Sequence, residues 1–333
     1  MNYRKVIPTI ALAVATSIST AAYADTYRLT HNTSDTTSWQ QGAERFRDLL
    51  DEQSDGELSI KIFPNAVLAG GDQMKQSEMV GRGNIDFVIT SAINVTPLIP
   101  EMAVFSLPYL FSNYEQVDTA IQGAPGERMK EIAEEHGIKI LAWGENGFRE
   151  LTNSARPVEA PDDLAGMKVR VAGPMYIDVF NALGANPQQI QWTETFSSLQ
   201  QGVVDGQENP IGSIIVPQRI YEVQDYLTEW HYSYDPIFVG VSKQLWDSWD
   251  DTTQSMVQSA ADQAMQYQRD VAREATENGI ETLAENGMQI STLDDAQLQA
   301  FREATQSVYD SWASKVGEDL VKAFEDSANS LAN

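Results

Sequence analysis

Short apolar segments alternate with longer amphipathic segments along most of the chain, and this alternation limits the possible folds more than any other feature. Leu58, Ile60 and Ile62 alternate with polar residues, as in a strand. Residues about 38–53 place apolar side chains at helical spacing. Repetition of strand, helix and strand favours an α/β fold with helices on the faces of parallel sheets.

The same reading predicts the other elements and sets the last third of the chain apart. From about Asp250 to Asn286 scarcely any residue breaks a helix. One straight helix of ~36 residues would be ~54 Å long, longer than a domain is wide, and the alternative is two helices with a bend at Gly279. Further helices are predicted at about 72–82, 114–136, 195–201, 211–224 and 296–328, and strands at about 27–31, 85–89, 138–143, 167–172 and 236–241.

The N-terminus predicts export. Arg4 and Lys5 precede an apolar stretch, and Ala22-Tyr23-Ala24 forms a small-x-small cleavage site. These features are typical of a secretory signal peptide over residues 1–24. A transmembrane anchor is the alternative, but a span needs ~20 apolar residues. We therefore expect a periplasmic protein of about two domains.

Composition and missing motifs narrow the function. The chain has 22 Lys plus Arg against 48 Asp plus Glu, a net charge of −26, which disfavours nucleic acid as a partner. It contains no cysteine and three histidines, and it lacks the helical zinc motif, the nucleophile elbow and the phosphate-binding loops. We therefore expect a protein that is not an enzyme and has no metal and no cofactor. An exported hydrolase or lyase is the alternative.

Three short motifs carry a family resemblance, which extends from about Tyr27 to the C-terminus. They are Asn146-Gly-Phe-Arg-Glu-Leu-Thr-Asn153, Gly166-Met-Lys-Val-Arg-Val171 and Val203-Val-Asp-Gly-Gln-Glu-Asn-Pro210. With them the chain resembles the DctP-type solute-binding proteins of TRAP (tripartite ATP-independent periplasmic) transporters.

The resemblance implies a two-domain periplasmic-binding-protein-like fold of class II, with a cleft between the domains and a long helix that spans both. The implied domains are residues 25–146 plus 235–274 and residues 147–234 plus 275–333. The implied partners are a small carboxylate and the small and large membrane subunits of a permease. A periplasmic sensor that a receptor reads is the alternative.

Arg170 is the first candidate ligand contact. It lies in the apolar run Val169-Arg170-Val171, where an unpaired charge is costly. The residues alone leave a ligand carboxylate and an internal ion pair equally open, whereas the resemblance implies that Arg170 and Asn209 clamp the carboxylate. By the same resemblance Arg149 is a second positive group near the ligand, with a solvated loop arginine as the alternative.

The remaining candidates also come from the resemblance. Trp192 corresponds to an aromatic residue that lines the pocket, and Ser91 and Asn94 replace an acidic and a basic residue of sialate-binding relatives. Neutral side chains there suit hydroxyl groups, so we expect a sugar acid such as a uronate or aldonate, with a C4-dicarboxylate or a keto acid as the alternatives. The other predicted positions near the ligand are His31, Asn32, Asp72 and Gly173.

Overall fold

The computed structural model describes residues 25–330, and the predicted signal peptide over residues 1–24 lies outside this range. No helix within the described range is long and apolar enough to cross a membrane. The strands are β1 (Asp25–Thr30), β2 (Leu58–Phe63), β3 (Phe87–Ser91), β4 (Ile138–Asn153), β5 (Lys168–Val171), β6 (Asn186–Gln189), β7 (Gly206–Asn209), β8 (Tyr226–Ser242) and β9 (Gln289–Thr292).

Helices cover the strands and account for most of the remaining chain. They are α1 (Ser38–Gln53), α2 (Lys75–Gly81), α3 (Ala92–Val95), α4 (Tyr114–Gln122), α5 (Ala124–Glu135), α6 (Pro174–Ala182), α7 (Trp192–Gln200), α8 (Lys243–Trp246), α9 (Asp251–Glu277), α10 (Gly279–Glu285), α11 (Asp295–Val316) and α12 (Glu318–Asn329).

The strands form one mixed sheet, in the order β2-β1-β3-β8-β4-β7-β5-β6 with β9 beside β8. β1 is parallel to β2 and β3, and β5 is parallel to β6 and β7. Each parallel group is the centre of one domain, and the long antiparallel pair β4 and β8 passes through both. The α/β two-domain fold is therefore confirmed, although the strands that join the domains are antiparallel.

The two joining strands are longer than predicted. The apolar pattern predicts an end of β4 near Trp143 and a start of β8 near Pro236. β4 continues to Asn153 through buried polar residues, which hide the apolar pattern of a strand. Its register shifts between Glu145 and Gly147. There Gln268 of α9 hydrogen-bonds the Glu145 N–H at 2.8 Å and the Glu145 carbonyl at 2.7 Å, which satisfies both backbone groups.

The long helix takes the bent form of the two alternatives. α9 ends at Glu277, and α10 starts at Gly279. α9 packs on α1 and β4 in the first domain and on the turn Ile211–Ile215 in the second. A Cβ atom on Gly212 of that turn would lie 2.4 Å from the Thr276 backbone nitrogen, so the turn approaches α9 closely.

Several predicted helices are interrupted. Residues 114–136 form α4 and α5 with a break at Gly123, and residues 296–328 form α11 and α12 with a break at Gly317. Residues 211–224 form two short turns instead of an α-helix; Pro217 lies between these turns and has no N–H to donate.

The C-terminal helices contact both domains. α11 packs on α6 and also on the turn Pro100–Ser106, whereas α12 packs on α4 and α5. The predicted domain boundaries at residues 146–147 and 234–235 fall where β4 and β8 pass between the two parallel groups, and the division itself stays a prediction.

Candidate functional site

A small cavity lies between the two domains. Seven of the ten predicted site residues line it: Asn32, Ser91, Asn94, Arg149, Arg170, Trp192 and Asn209. The other lining residues are Thr33, Trp39, Gln73, Asn146, Ala172, Ile214 and Asp235.

Arg170 brings a buried positive charge to this cavity. It lies on β5 between β6 and β7, and it is 1 % exposed. Its Nε donates to the Ile190 carbonyl at 2.9 Å, and its guanidinium lies 5.5 Å from the centre of the Trp192 ring. Within residues 25–330 no carboxylate lies within 4.0 Å of this guanidinium.

Burial lowers the pKa of Arg170 to about 10, and the nearby Glu208 carboxylate opposes this effect. The side chain is therefore still charged at neutral pH. Because a buried charge is costly without a counter-charge, an anion in the cavity would be strongly favoured.

Arg149 is equally buried, but its charge is neutralised. It lies within β4 and is buried, so the alternative of a solvated loop arginine is wrong. Its guanidinium forms ion pairs with Glu208 and with Asp235, the latter at 3.0 Å, and donates to the Asn209 side-chain oxygen at 3.1 Å. Burial lowers the pKa of Arg149, but the carboxylates outweigh burial and raise it well above its ordinary value.

Side-chain amides form much of the remaining wall. Asn209 donates through Nδ2 to Gln207, which leaves the second Nδ2 hydrogen for another acceptor. Asn94 donates to the side-chain oxygen of Asn32 at 3.3 Å. Such groups both donate and accept, as ligand hydroxyl groups require.

Gln73, which is not among the predicted site residues, joins the two domains across the cavity. Its Nε2 donates to the Asn94 side chain at 3.0 Å and to the Ala172 carbonyl at 3.4 Å. Its Oε1 accepts from the Trp192 N–H at 2.9 Å. Gln73 is buried, so these bonds hold the domains in a closed arrangement.

Three predicted site residues do not line the cavity. The Oδ1 atom of Asp72 accepts from the N–H groups of Met74 and Lys75 and so stabilises the turn before α2. His31 is fully buried, with Nε2 2.8 Å from Gln40 Oε1. A Cβ atom on Gly173 would lie 2.7 Å from Ile93 Cγ2, so this glycine allows a close contact between the domains.

Asp235 and Asn146 also line the cavity and are not among the predicted site residues. Asn146 donates to Asp235 at 2.7 Å and accepts from the Trp39 indole N–H at 3.1 Å. Asn146 is the first residue of the motif that contains Arg149, so this motif could have indicated Asn146 as a site residue. Asp235 precedes Pro236 on the strand that returns to the first domain, and only its position at this crossing could have indicated its role.

Comparisons with known proteins agree with the architecture. The family model "Bacterial extracellular solute-binding protein, family 7" (DctP) matches residues 29–315. The chain is 33% identical to the 2,3-diketo-L-gulonate-binding periplasmic protein YiaO of Escherichia coli over 331 residues, which are 98% of this chain and 99% of the relative.

Solved structures are similar as well. A TRAP periplasmic solute-binding protein of Ralstonia eutropha with bound (S)-2-acetolactate has a TM-score of 0.89 and 37% identity, over 92% of this chain and 99% of that one. The sugar acid binding protein DctPAm of Advenella mimigardefordensis, in complex with galactonate, has a TM-score of 0.88 and 29% identity, over 92% and 98%. None of these names describes an enzyme. The chain therefore belongs to the DctP family of bacterial extracellular solute-binding proteins, the family that its motifs predict.

Proposed function

We propose that this protein is the periplasmic substrate-binding component of a TRAP transporter and that it binds a small organic acid. The observation that carries the proposal is Arg170, a buried cation beside the cavity with no carboxylate partner among the described residues. A ligand carboxylate would supply the missing negative charge. The planar guanidinium suits a carboxylate, because it can form two parallel hydrogen bonds with it.

Asn209 completes the clamp in this proposal. Its side-chain oxygen is fixed by Arg149, and one Nδ2 hydrogen is taken by Gln207. The second hydrogen is available to the ligand carboxylate. Arg149 then positions Asn209 and holds Glu208, whereas Arg170 makes the principal charge contact.

A sugar acid or a related hydroxy acid is the proposed ligand class. Asn32, Asn94, Asn146 and Gln73 give the cavity a wall of amide groups that suits several hydroxyl groups. The relatives support this class: galactonate and (S)-2-acetolactate each carry one carboxylate and at least one hydroxyl group. A C4-dicarboxylate and a keto acid without hydroxyl groups are the competing classes.

Capture proceeds by closure of the domains around the acid. Ligand can favour closure only if it binds the closed form better than the open one. Gln73 bonds both domains, and Arg170 and Trp192 lie on the domain opposite to Asn32 and Asn94. The acid therefore gains its full set of contacts only when the domains close.

Export and delivery complete the proposal. The N-terminal 24 residues direct the chain to the periplasm and are removed there, and the closed form docks on the two membrane subunits of a TRAP permease. A receptor could read the same closed form in a sensor system. Binding of the closed form by reconstituted permease subunits, with uptake of the acid, would distinguish the permease from the receptor.

A thermal-shift screen tests the binding function. The mature protein is first unfolded and refolded, and the refolded protein is then screened. The panel contains sugar acids, hydroxy acids, dicarboxylates, keto acids and neutral sugars. A ligand at a hundredfold excess over its Kd stabilises the folded state by about 2.7 kcal/mol. We expect a shift with carboxylates that carry hydroxyl groups; a shift with neutral sugars alone would contradict the proposal.

A further inference from the structure

Asp235 lines the cavity and has one unpaired carboxylate oxygen. The residue lies on β8 opposite Gly147 of β4, it is 1 % exposed, and it lines the cavity. Its Oδ2 accepts from Asn146 Nδ2 at 2.7 Å and from Arg149 Nη1 at 3.0 Å. Its Oδ1 is buried and has no hydrogen-bond partner among the described residues.

The direction of this acceptor is fixed. Trp39 holds Asn146, and Glu208 holds Arg149, so both donors to Oδ2 are themselves anchored. Burial raises the pKa of Asp235, and Arg149, Asn146 and the nearby Ser91 hydroxyl only partly oppose this effect. The Ser91 hydroxyl forms no hydrogen bond with Oδ1. A buried acceptor without a donor is costly, so a group in the cavity that donates to Oδ1 would be favoured.

We propose that Asp235 is a specificity-determining residue, whose Oδ1 accepts a hydrogen bond from a ligand hydroxyl group and so selects hydroxy monocarboxylates over dicarboxylates. This inference rests on the proposed organic-acid function. It assigns two groups of the ligand to different residues: Arg170 binds the carboxylate, and Asp235 binds a hydroxyl group.

The charges around the cavity support selection against a second carboxylate. Glu208 and Asp235 both pair with Arg149, so of the two buried arginines at the cavity only Arg170 has no carboxylate partner among the described residues. One ligand carboxylate pairs with Arg170, whereas a second would have no free cation and would repel the Asp235 carboxylate.

Asp235→Asn separates this role from a purely structural one. Arg149 and Asn146 both donate to the Oδ2 position, so the amide oxygen will occupy it and the NH₂ group will replace Oδ1 at the cavity. The variant therefore turns an anionic acceptor into a neutral donor. We expect affinity for hydroxy acids to fall at least tenfold and affinity for dicarboxylates to stay constant or rise, because one negative charge is gone.

The measurement is calorimetric titration of the wild-type protein and Asp235→Asn with galactonate, erythronate and 2-acetolactate, and with succinate and adipate. Asp86→Asn is the matched control, because Asp86 binds Arg28 outside the cavity and the substitution removes the same charge. A loss of affinity for the hydroxy acids without a loss for the dicarboxylates supports the inference. Equal losses for both classes, or unchanged affinity for the hydroxy acids, overturn it.

Two further outcomes separate the inference from the proposed function. A wild-type protein that binds only dicarboxylates overturns the inference and leaves organic-acid binding intact, whereas one that binds no carboxylate overturns both. If Asp235→Asn does not fold, titration of the wild-type protein with the series of monodeoxygalactonates replaces it. We then expect one deletion to lower affinity at least tenfold, and equal affinities throughout the series would overturn the inference.

Discussion

Arg149 and Arg170 place two buried guanidinium groups beside one cavity, but only Arg149 is paired with carboxylates. Glu208 and Asp235 neutralise Arg149 inside the protein. Arg170 has a backbone carbonyl and the Trp192 ring as its neighbours. The first arginine therefore stabilises the fold, and the second is available to a ligand.

This difference predicts opposite effects on stability. Arg149→Met leaves two buried carboxylates without their cation and should lower the free energy of unfolding by about 3–5 kcal/mol. Arg170→Met removes an uncompensated buried charge and should change the free energy of unfolding by less than about 1 kcal/mol, or raise it. Urea unfolding of both variants at pH 7 without ligand checks this. Equal destabilisation would show that the two arginines have the same role.

The hydrogen bonds of Gln73 indicate that this residue stabilises the closed arrangement of the two domains. Gln73→Ala removes bonds to Ala172 and Trp192 that exist only when the domains are closed. Affinity for the cognate acid should fall about thirtyfold, since two bonds are lost and each contributes about 1 kcal/mol. Calorimetry measures the affinity. Gln254→Ala, which loses a bond within the first domain, serves as the control and should bind normally; a similar loss in both variants would contradict the interpretation.

The close approach of Gly173 to Ile93 indicates that the domains can close only if residue 173 has no side chain. An added Cβ would meet Ile93 Cγ2 at 2.7 Å, so Gly173→Ala should weaken ligand binding without lowering the stability of the ligand-free, open protein. Ile93→Ala in the same chain removes the opposing atom and should restore much of the affinity. Titration of the single and double variants checks the pair, and a double variant no better than Gly173→Ala would disprove the contact.

His31 predicts a pH dependence of stability. Burial lowers the pKa of His31 from 6.5 to about 4, although its bond with Gln40 partly opposes this. Between these values the unfolded state binds the proton and the folded state does not, so stability falls as pH decreases from about 6.5 to about 4. The contribution is about 3 kcal/mol. Urea unfolding at pH 7 and pH 4.5 should show a smaller pH effect in His31→Gln than in the wild-type protein; equal effects would contradict the assignment.

The repeated strands and helices of the first domain could be predicted from the sequence, because their apolar residues follow regular periods. α1 occupies the predicted residues 38–53. β4 could not be predicted in full, because Glu145, Asn146, Arg149 and Glu150 are polar and yet buried. Their burial depends on partners from β7, β8 and α9, which are distant in the sequence.

The candidate site was predictable to the extent that family motifs carry it. Those motifs gave Arg170, Arg149 and Asn209, but they did not indicate that Arg149 is neutralised. That property depends on Asp235, 86 residues further along the chain. The predicted site residue next to Gln73 is Asp72, which stabilises a turn instead of lining the cavity.

Calorimetric titration of Arg170→Met tests the central claim most directly. The titrant is the acid that gives the largest thermal shift with the refolded wild-type protein, and unfolding of the variant confirms that it is folded. We predict that affinity for the acid falls at least a hundredfold. Arg170 is the only buried cation among the described residues without a carboxylate partner, and the variant removes it. Near-native affinity of the folded variant would contradict the claim that Arg170 holds the carboxylate of the ligand.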